Sequence, residues 1–436
     1  MSAAEPSIES VHARQILDSR GRPTVEVDVR LTDGALGRAS VPSGASTGTH
    51  EAHERRDGDP GDYAGLGVHG AVNAVRDELA PALRGKAATD QQTIDALLRD
   101  LDGTASLSRL GANAVLGTSL AVCRAGALVT RRPLFRHIAD LAGVDAPVLP
   151  VPMVNILSGG LHAGGGMDVQ DFLAVPAGST DLPEAVHRMG RVRSAATGVL
   201  ARRGLPTLLA DEGGLSPGCR TGRQALEIMI ESFETAGLEP GRDVLIAIDV
   251  AAHSFVTPGG QYALAREGVT RSTAEMIDAI EEWVRDFPIV SVEDGLDEED
   301  WAGWAELTTR IGDRVRLIGD DLFTTNVARL ERGIAEGAGN GILIKVNQNG
   351  TLSGTLDVVA RARAAGYVPV ISARSGETED DFLADLAVAT GAGQIKIGSL
   401  RCSDRLAKYN QLLRIAEDES LPFAPSPATY ASSAAR

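Results

Sequence analysis

The sequence predicts an α/β protein, in which an eight-stranded (β/α) barrel of the TIM type follows a smaller α+β domain. Two observations support this prediction. The C-terminal half contains six short apolar runs that each end in a polar or charged residue, and from Glu293 onward they recur about every 25 residues, the length of one strand–loop–helix unit. The N-terminal third has strand-like segments first and helix-like segments afterwards, which is typical of an α+β domain.

The N-terminal third divides into two kinds of segment. Residues 8–41 alternate apolar and polar positions, and Asp33-Gly34 provides a turn signal, so we expect a β-hairpin or meander. Residues 66–130 have helical periodicity. The proline-punctuated stretch VDAPVLPVP at 144–152 indicates a boundary just before it. The predicted domains are an N-terminal α+β domain at 1–142 and a C-terminal barrel at 143–436.

The six apolar runs are expected to be buried parallel strands. They are VLIAIDV, IVSVED, RLIGDD, ILIKVN, PVISARS and QIKIGS, with the polar residues Asp249, Glu293, Asp320, Lys345, Arg374 and Lys396. A polar residue at the C-terminal end of a barrel strand points into the mouth, where barrel enzymes place their chemistry. Three clustered carboxylates predict a site for a hard cation such as Mg²⁺, and a lysine beside that cation can act as a base. Asp321 is expected to point to the opposite side of its strand and to be structural.

The composition, with 43% hydrophobic and 23% charged residues among 436, is ordinary for a soluble globular enzyme. A formal net charge of −17 argues against sequence-independent binding to nucleic acid or an anionic membrane surface, because both need a basic patch. The sequence shows no apolar run of bilayer length, its N-terminus lacks the build of a signal peptide, and Cys123, Cys219 and Cys402 have no disulfide or ligand spacing. We therefore expect a cytoplasmic protein with reduced cysteines.

Longer motifs identify a family. They are ILDSRGRPTVEV at 16–27, VPSGASTG at 41–48, GANAVLGTSLAV at 111–122, PVPMVNILSGG at 150–160, DEGG at 211–214, IDVAA at 248–252, SVEDGLDEEDWAGW at 291–304, GDDLFTTN at 319–326, LIKVNQNGTL at 343–352, RSGETEDDF at 374–382 and GQIKIGS at 393–399. With these motifs the chain resembles enolase, the phosphopyruvate hydratase of glycolysis, along nearly its whole length. The resemblance implies an enolase-type barrel with an N-terminal lid domain, a homodimer or homo-octamer, and a small phosphorylated carboxylate as substrate.

The resemblance also implies a catalytic set. The main Mg²⁺ would be held by three carboxylates, Asp249, Glu293 and Asp320. Lys345 matches the base that removes the C2 proton of 2-phosphoglycerate, and Glu212 matches the acid that helps the C3 hydroxyl leave to give phosphoenolpyruvate. The pKa of Lys345 is expected to be low, because Mg²⁺ and the nearby Lys396 both disfavour another positive charge.

The remaining matches concern substrate binding. Lys396 matches the residue that neutralises the substrate carboxylate, and Arg374 and Ser375 match the phosphate site, where a guanidinium fork suits a phosphoryl group. The family places a histidine and a glutamine near the substrate, here His162 and Gln170. Ser46 matches a mobile loop that closes over the phosphate and contributes to a second Mg²⁺ bound with the substrate.

Two substrate-side positions depart from the family pattern: Ala373 replaces a histidine, and Asp171 replaces a glutamate. Three interpretations stay open. The chain is a 2-phosphoglycerate dehydratase, slowed or compensated. Alternatively, it is a paralogue re-tasked to a related phosphorus substrate, for example a carboxyphosphonoenolpyruvate synthase of phosphonate or phosphinate natural-product pathways. The third is a catalytically dead enolase-like binding protein, against which the retained metal ligands, both lysines and Glu212 argue.

Overall fold

The N-terminal part of the chain forms a three-stranded antiparallel sheet with helices packed against it, as the two sequence patterns predict. The computed structural model describes residues 5–45, 48–418 and 420–425. Its first elements are β1 (Ile8–Leu17), β2 (Pro23–Leu31), β3 (Leu36–Ser40), α1 (His69–Ala74), α2 (Ala80–Leu83), α3 (Gln91–Asp102), α4 (Ala112–Thr130) and α5 (Leu134–Ala142). The predicted turn is confirmed, since Asp33 Oδ1 accepts a hydrogen bond from Ala35 N at 2.9 Å and Gly34 has a φ of 90°.

Helix α4 is the core of this domain. Most of its side chains are buried, and β3 packs so closely on it that a Cβ at Gly37 would lie 2.2 Å from the carbonyl oxygen of Ala121. No run of bilayer length was expected from the sequence, yet α4 is long and apolar enough to meet that criterion. Because 83% of this stretch is buried inside the protein, we interpret α4 as the core helix of a folded domain.

After α5, which ends beside the domain division predicted at residue 142, the chain forms a closed eight-stranded barrel. The elements are β4 (Val151–Ser158), β5 (Asp171–Val175), α6 (Leu182–Arg202), α7 (Gly222–Thr235), β6 (Leu245–Asp249), β7 (Tyr262–Leu264), β8 (Val269–Arg271), α8 (Thr273–Asp286), β9 (Ile289–Glu293), α9 (Trp301–Ile311), β10 (Arg316–Gly319), α10 (Val327–Glu336), β11 (Gly341–Ile344), α11 (Val346–Asn349), α12 (Leu352–Ala364), β12 (Val368–Ser372), α13 (Phe382–Thr390), β13 (Gln394–Lys396) and α14 (Ser403–Ile415). The barrel order is β4-β5-β6-β9-β10-β11-β12-β13, with β13 paired to β4, and β7 pairs with β8 outside it. The six predicted strands are confirmed as mutually parallel barrel strands.

Strand β5 runs against the others. It pairs antiparallel with both β4 and β6, so the barrel is not the uniform alternation of strand and helix that the sequence suggested. Two successive strands are instead followed by two helices, α6 and α7. The reason is the connection at 159–170, which contains no α-helix and cannot supply the crossover that a parallel pair needs. As a result the first residue of β5, rather than its last, lies at the C-terminal mouth of its neighbours.

The register of four neighbouring strands aligns four polar side chains, which we call the polar row. Ser158 of β4 pairs with Asp171 of β5, and Asp171 pairs with Asp249 of β6. Asp249 in turn pairs with Glu293 of β9. Side chains in register lie on the same face of a sheet, and neighbouring strands are about 4.8 Å apart. The polar row therefore places three carboxylates side by side at the mouth of the barrel.

Candidate active site

A small polar cavity opens at the mouth of the barrel. Most of the predicted site residues lie on its walls: His162, Gln170, Glu212, Asp249, Lys345, Ala373, Arg374, Ser375 and Lys396. Glu293 and Asp320 are connected to it through contacts with Lys396 and Lys345. The barrel thus gathers residues from distant parts of the sequence at one place.

Lys396, the last residue of β13, holds two carboxylates of the polar row together. Its Nζ donates to Asp249 Oδ2 at 2.7 Å and to Glu293 Oε1 and Oε2 at 2.7 and 2.8 Å, and all three side chains are buried. Burial lowers the pKa of Lys396, but the attraction of both carboxylates outweighs it and places the pKa well above its ordinary value. Burial and the charge of Asp249 raise the pKa of Glu293 well above its ordinary value, so this position favours a nearby positive charge.

Lys345, which follows the last residue of β11, contacts the third predicted ligand. Its Nζ donates to Asp320 Oδ2, and Gln348 Nε2 donates to Asp320 Oδ1 at 2.9 Å. The low pKa expected for Lys345 presupposes a bound Mg²⁺, and among the protein groups alone the balance is the reverse. Burial lowers this pKa, as do Arg374 and Lys396, but the direct contact with Asp320 outweighs them and raises it. If Asp320 shared its charge with a bound cation, this attraction would weaken.

The three predicted metal ligands fit a hard divalent ion in their chemistry. They offer carboxylate oxygens only, and each already contacts a cationic side chain. Among the described residues, a second acidic cluster shares Asp320 with this set. Asp294, Asp320 and Asp321 bring their carboxylate oxygens within 4.8 Å of one another. The two oxygens of Asp294 also accept the backbone N–H groups of Asp320 and Asp321, at 2.9 and 2.8 Å, so this carboxylate holds the turn after β10 as well. Asp249, Glu293 and Asp320 therefore stay our candidates to hold the ion.

The position of Asp321 differs from the expectation that it would point away from Asp320. Strand β10 ends at Gly319, and the carbonyl oxygen of Asp320 accepts a hydrogen bond from Thr324 N at 2.7 Å, so the chain already turns at this point. The alternation of faces along a strand no longer applies there. Burial, with the added charge of Asp320, raises the pKa of Asp321 to about 7.

Glu212 reaches the cavity from the loop that precedes α7. Asn155, a buried residue of β4, donates to Glu212 Oε2 at 3.1 Å. The loop lies tightly on β4, where a Cβ at Gly214 would meet Ser158 Oγ at 2.1 Å. Burial raises the pKa of Glu212, but nearby cations, Arg405 first among them, outweigh burial and lower it. The Glu212 carboxylate is therefore ionised as long as no bound anion offsets the charge of these cations.

His162 and Asp171 form a buried pair at one end of the cavity. His162 Nε2 lies 3.4 Å from Asp171 Oδ1, and Ser158 Oγ donates to the same oxygen at 2.5 Å. Burial lowers the pKa of His162, but Asp171 outweighs burial and raises it to about 9. Asp171 was predicted to contact substrate, whereas its carboxylate lies behind the imidazole, which itself faces the cavity. Gln170 also faces the cavity and donates to Asp249 Oδ2 at 3.0 Å.

Arg374 and Ser375 lie on the loop after β12, which is held from both domains. The fully buried Arg405 of α14 donates to the carbonyl oxygens of Arg374 and Ser375, each at 2.7 Å. The guanidinium of Arg374 donates to both carboxylate oxygens of Glu51 in the N-terminal domain, at 2.9 and 3.2 Å. Ala373, just before them, exposes only its methyl group to the cavity. The predicted contact of Ser46 with a second Mg²⁺ falls outside the described residues.

Sequence reasoning missed four residues that support this site: Asn155, Gln348, Arg405 and Glu51. Two of them left a signal in the sequence. Asn155 is the polar residue inside the buried run VPMVNILS of β4, and Arg405 lies on the face of α14 that also buries Tyr409. A polar group in a buried position needs a partner, which marks such residues as candidates for holding other polar groups. Glu51 and Gln348 left no comparable signal, because their partners are distant in sequence.

Comparison with known protein families agrees with the fold. Residues 8–138 match the family model described as the enolase N-terminal domain, and residues 146–432 match that of the enolase C-terminal TIM barrel domain. Members of this family generally use Mg²⁺, and Asp320 belongs both to the predicted ligands and to the acidic cluster with Asp294 and Asp321 that could hold a metal ion. The two matches together span most of the chain, so the protein belongs to the enolase family, and this membership supports a lyase of the enolase superfamily.

Proposed function

We propose that the protein is an Mg²⁺-dependent lyase that removes the C2 proton of 2-phosphoglycerate and eliminates the C3 hydroxyl to give phosphoenolpyruvate. The observation that supports this most is the shared cavity of Lys345 and Glu212, which come from different elements and face the same space. A base and an acid in one cavity suit an elimination in which a proton leaves one carbon and hydroxide leaves the next. When bound, Mg²⁺ would supply positive charge to the substrate carboxylate and its enediolate.

Lys345 is the proposed base. The contact of its Nζ with Asp320 favours the ammonium, so Lys345 would become a base only when Asp320 shares its charge with a bound cation and this attraction weakens. Lys396 lies between Asp249 and Glu293 and faces the same cavity, where its ammonium can bind the substrate carboxylate. The proton therefore moves to a residue that is stabilised in its charged form, while a second cation remains to hold the substrate.

Glu212 is the proposed acid for the C3 hydroxyl. A general acid must carry a proton, whereas the cations Arg405, His162 and Lys396 lower the pKa of Glu212. An anionic substrate placed among these side chains offsets their charge, and burial, which raises the pKa of Glu212, then prevails. The proton on Glu212 would thus depend on an occupied cavity, and Asn155 would orient the carboxyl group.

The phosphoryl group would be bound by Arg374 and Ser375, and the His162 imidazolium lines the same cavity. A guanidinium fork suits an anionic oxygen cluster, and an imidazolium with a pKa of about 9 stays charged at neutral pH. These cations also answer an objection from the composition, because a net charge of −17 would otherwise repel an anionic substrate.

A second candidate function rests on Ala373. Its methyl group leaves the wall between Ser372 and Arg374 without a donor, in a cavity whose other walls are mostly polar. A phosphorus substrate with an additional group, as in the synthesis of carboxyphosphonoenolpyruvate, would find room at this wall. The two candidates are distinguished by the products that the wild-type protein forms from 2-phosphoglycerate or phosphoenolpyruvate, with and without phosphonoformate. Only the second candidate yields a new compound that retains the phosphorus–carbon bond of phosphonoformate.

The proposed division of roles is tested by exchange of the C2 proton of 2-phosphoglycerate with deuterated solvent. Lys345→Ala should abolish exchange, whereas Glu212→Gln should retain exchange and lose elimination, because the two residues act on different atoms. Equal loss of exchange in both variants would contradict these assignments. No exchange in the wild-type protein would favour the third interpretation, a catalytically dead binding protein.

We further propose a cytoplasmic protein that self-associates as a homodimer or homo-octamer and binds neither nucleic acid nor membrane. Its acidic composition supports the last two statements. The mass of the assembly in solution, measured by light scattering, would decide between a dimer and an octamer.

A further inference from the structure

We propose that Glu51 of the N-terminal domain is a positioning residue for Arg374, so that the anion subsite of the barrel is completed by the other domain. The inference rests on the proposed function in one respect, the assignment of Arg374 as the residue that binds the phosphoryl group. It adds a residue from a segment, 48–54, for which no binding or catalytic role has been derived above.

Arg374 and Glu51 form a bidentate ion pair. Arg374 Nη1 donates to Glu51 Oε2 at 2.9 Å, and Arg374 Nη2 donates to Glu51 Oε1 at 3.2 Å. Nη1 also donates to Asn347 Oδ1 at 2.8 Å. The side chains of Arg374 and Glu51 are 3% and 7% exposed, so the pair is shielded from water and the two parallel bonds define the plane of the guanidinium.

Glu51 positions the guanidinium of Arg374, and not the backbone of the loop that carries Arg374. The backbone of Arg374 is held independently, because its N–H donates to Glu377 Oε1 at 3.0 Å and its carbonyl oxygen accepts from Arg405 at 2.7 Å. Loss of Glu51 would therefore leave the loop in place while the charged end of the side chain loses its carboxylate partner. This separation makes the role of Glu51 measurable apart from the fold of the loop.

Glu51 approaches Arg374 from the N-terminal domain and not from the catalytic cavity. Glu51 lines a cleft on the N-terminal side together with Gly48, Thr49 and Asn347. Arg374 lines the catalytic cavity and also a second cleft, which it shares with Asn347. A residue in that location orients the anion-binding group without touching the anion itself.

The same carboxylate also connects the 48–51 turn to a predicted metal ligand. Glu51 Oε1 accepts the backbone N–H of Gly48 at 2.9 Å, which closes the turn, and accepts from Gln348 Nε2 at 3.3 Å. Gln348 Nε2 donates as well to Asp320 Oδ1 at 2.9 Å. One carboxylate thus contacts the turn of the N-terminal domain, the anion-binding arginine and the amide that holds Asp320.

A matched control is available in the same region. The 48–51 turn is held to the barrel by two other contacts: Thr49 Oγ1 donates to Glu298 Oε1 at 2.7 Å, and His50 Nε2 lies 2.9 Å from Glu299 Oε1. Glu299→Gln weakens the attachment of the turn but leaves Arg374 and Glu51 intact. A loss seen with Glu51→Gln and absent from Glu299→Gln is therefore not caused by a loosened turn, and combining Glu51→Gln with an Arg374 variant separates the contact with Arg374 from those with Gly48 and Gln348.

The test uses the full chain and inorganic phosphate as the probe, with binding measured by calorimetry. The lost contact is a pair of charge-assisted hydrogen bonds, so Glu51→Gln should weaken phosphate binding at least about tenfold, whereas Glu299→Gln should stay within about twofold of wild type. Arg374→Gln should also weaken binding, and adding Glu51→Gln to it should have no further effect, because a residue that acts only through Arg374 has nothing left to position.

Each outcome of this experiment is informative. Unchanged phosphate binding in Glu51→Gln, or additive losses in the double variant, would overturn the positioning role of Glu51. A thermal unfolding curve for each variant guards against a misfolded protein, since Glu51→Gln should keep a cooperative transition. If the wild-type protein binds no phosphate, the proposed anion site itself is wrong, and that failure is distinct from a failure of Glu51 alone.

Discussion

The buried pair of His162 and Asp171 makes the anion affinity of the cavity depend on pH in a way that one substitution should change. We consider Asp171→Asn, which keeps the size of the side chain and removes its charge. Burial lowers the pKa of His162, and in the wild-type protein Asp171 outweighs burial and raises it to about 9. In the variant the largest opposing attraction is gone and only the weaker ones of Glu212 and Asp249 remain, so the pKa of His162 should fall toward its ordinary value of about 6.5.

The size of the effect follows from the two pKa values. At pH 8, one unit below a pKa of about 9, roughly 90% of His162 side chains carry a charge, against roughly 3% if the pKa is about 6.5. A hydrogen bond from a charged donor to an anion contributes about 1.5–3 kcal/mol, which corresponds to roughly a ten- to hundredfold change in affinity. Because the charged fraction falls about thirtyfold, the variant should bind an anion about ten- to thirtyfold more weakly at pH 8, and this difference in affinity should narrow near pH 5.5.

Sulfate is a suitable probe because its charge is constant across this range, and its affinity can be measured by calorimetry at a series of pH values. Because the raised pKa favours the imidazolium, wild-type affinity should persist below the pKa and be lost as the pH rises through about 9. Ser158→Ala is the matched control, since it removes the hydroxyl that donates to Asp171 at 2.5 Å but keeps the carboxylate. The reasoning would be refuted if Asp171→Asn and wild type lost sulfate affinity over the same pH range.

Two further predictions concern the metal ligand Asp320 and the two positions that depart from the family pattern, Ala373 and Asp171. Asp320→Asn should weaken Mg²⁺ binding more than about tenfold, because even residues that only hydrogen-bond to a metal ligand change metal affinity by that much. The rise in unfolding temperature that Mg²⁺ causes should then require a correspondingly higher Mg²⁺ concentration. Activity that persists unchanged in chelator would contradict an Mg²⁺ site. Ala373→His combined with Asp171→Glu should raise the rate of 2-phosphoglycerate dehydration at least about tenfold if those two positions only slow an enolase, since acid–base contacts contribute about 10²–10⁴ in rate. A lower rate of dehydration, together with a new product from phosphonoformate in the parent protein, would instead support the re-tasked enzyme.

The barrel was predictable from the sequence because its parallel strands leave a strong local pattern. A short apolar run that ends in a polar residue marks both a buried strand and a residue at the mouth, so Asp249, Glu293 and Lys396 could be placed without any structure. Strand β5 escaped the same reasoning because it is reversed and begins, rather than ends, with its charged residue, Asp171. The rule about strand ends assumes a direction that this strand does not have.

The supporting contacts were less predictable, for a different physical reason. Local patterns report which residues are buried, but they do not report which distant residue satisfies a buried charge. The pair between Glu51 and Arg374 joins residues 323 positions apart, and the raised pKa of Lys345 depends on a contact with Asp320 across two strands. The expectation for Lys345 considered Mg²⁺ and Lys396 and left out the contact with Asp320, which no local pattern reveals.

The polar row has a consequence for how the protein is assembled. Its carboxylates are brought side by side by strand pairing itself, so their mutual repulsion opposes closure of the barrel at β5, β6 and β9 before any substrate is present. Lys396 offsets part of that repulsion, but it comes from β13, which joins the barrel from the far end of the chain. The last strand to be synthesised thus supplies the charge that the earlier strands need. In an incomplete chain on the ribosome, or one truncated before β13, Asp249 and Glu293 would lack this cationic partner, and completion of the barrel would be coupled to the arrival of that single lysine.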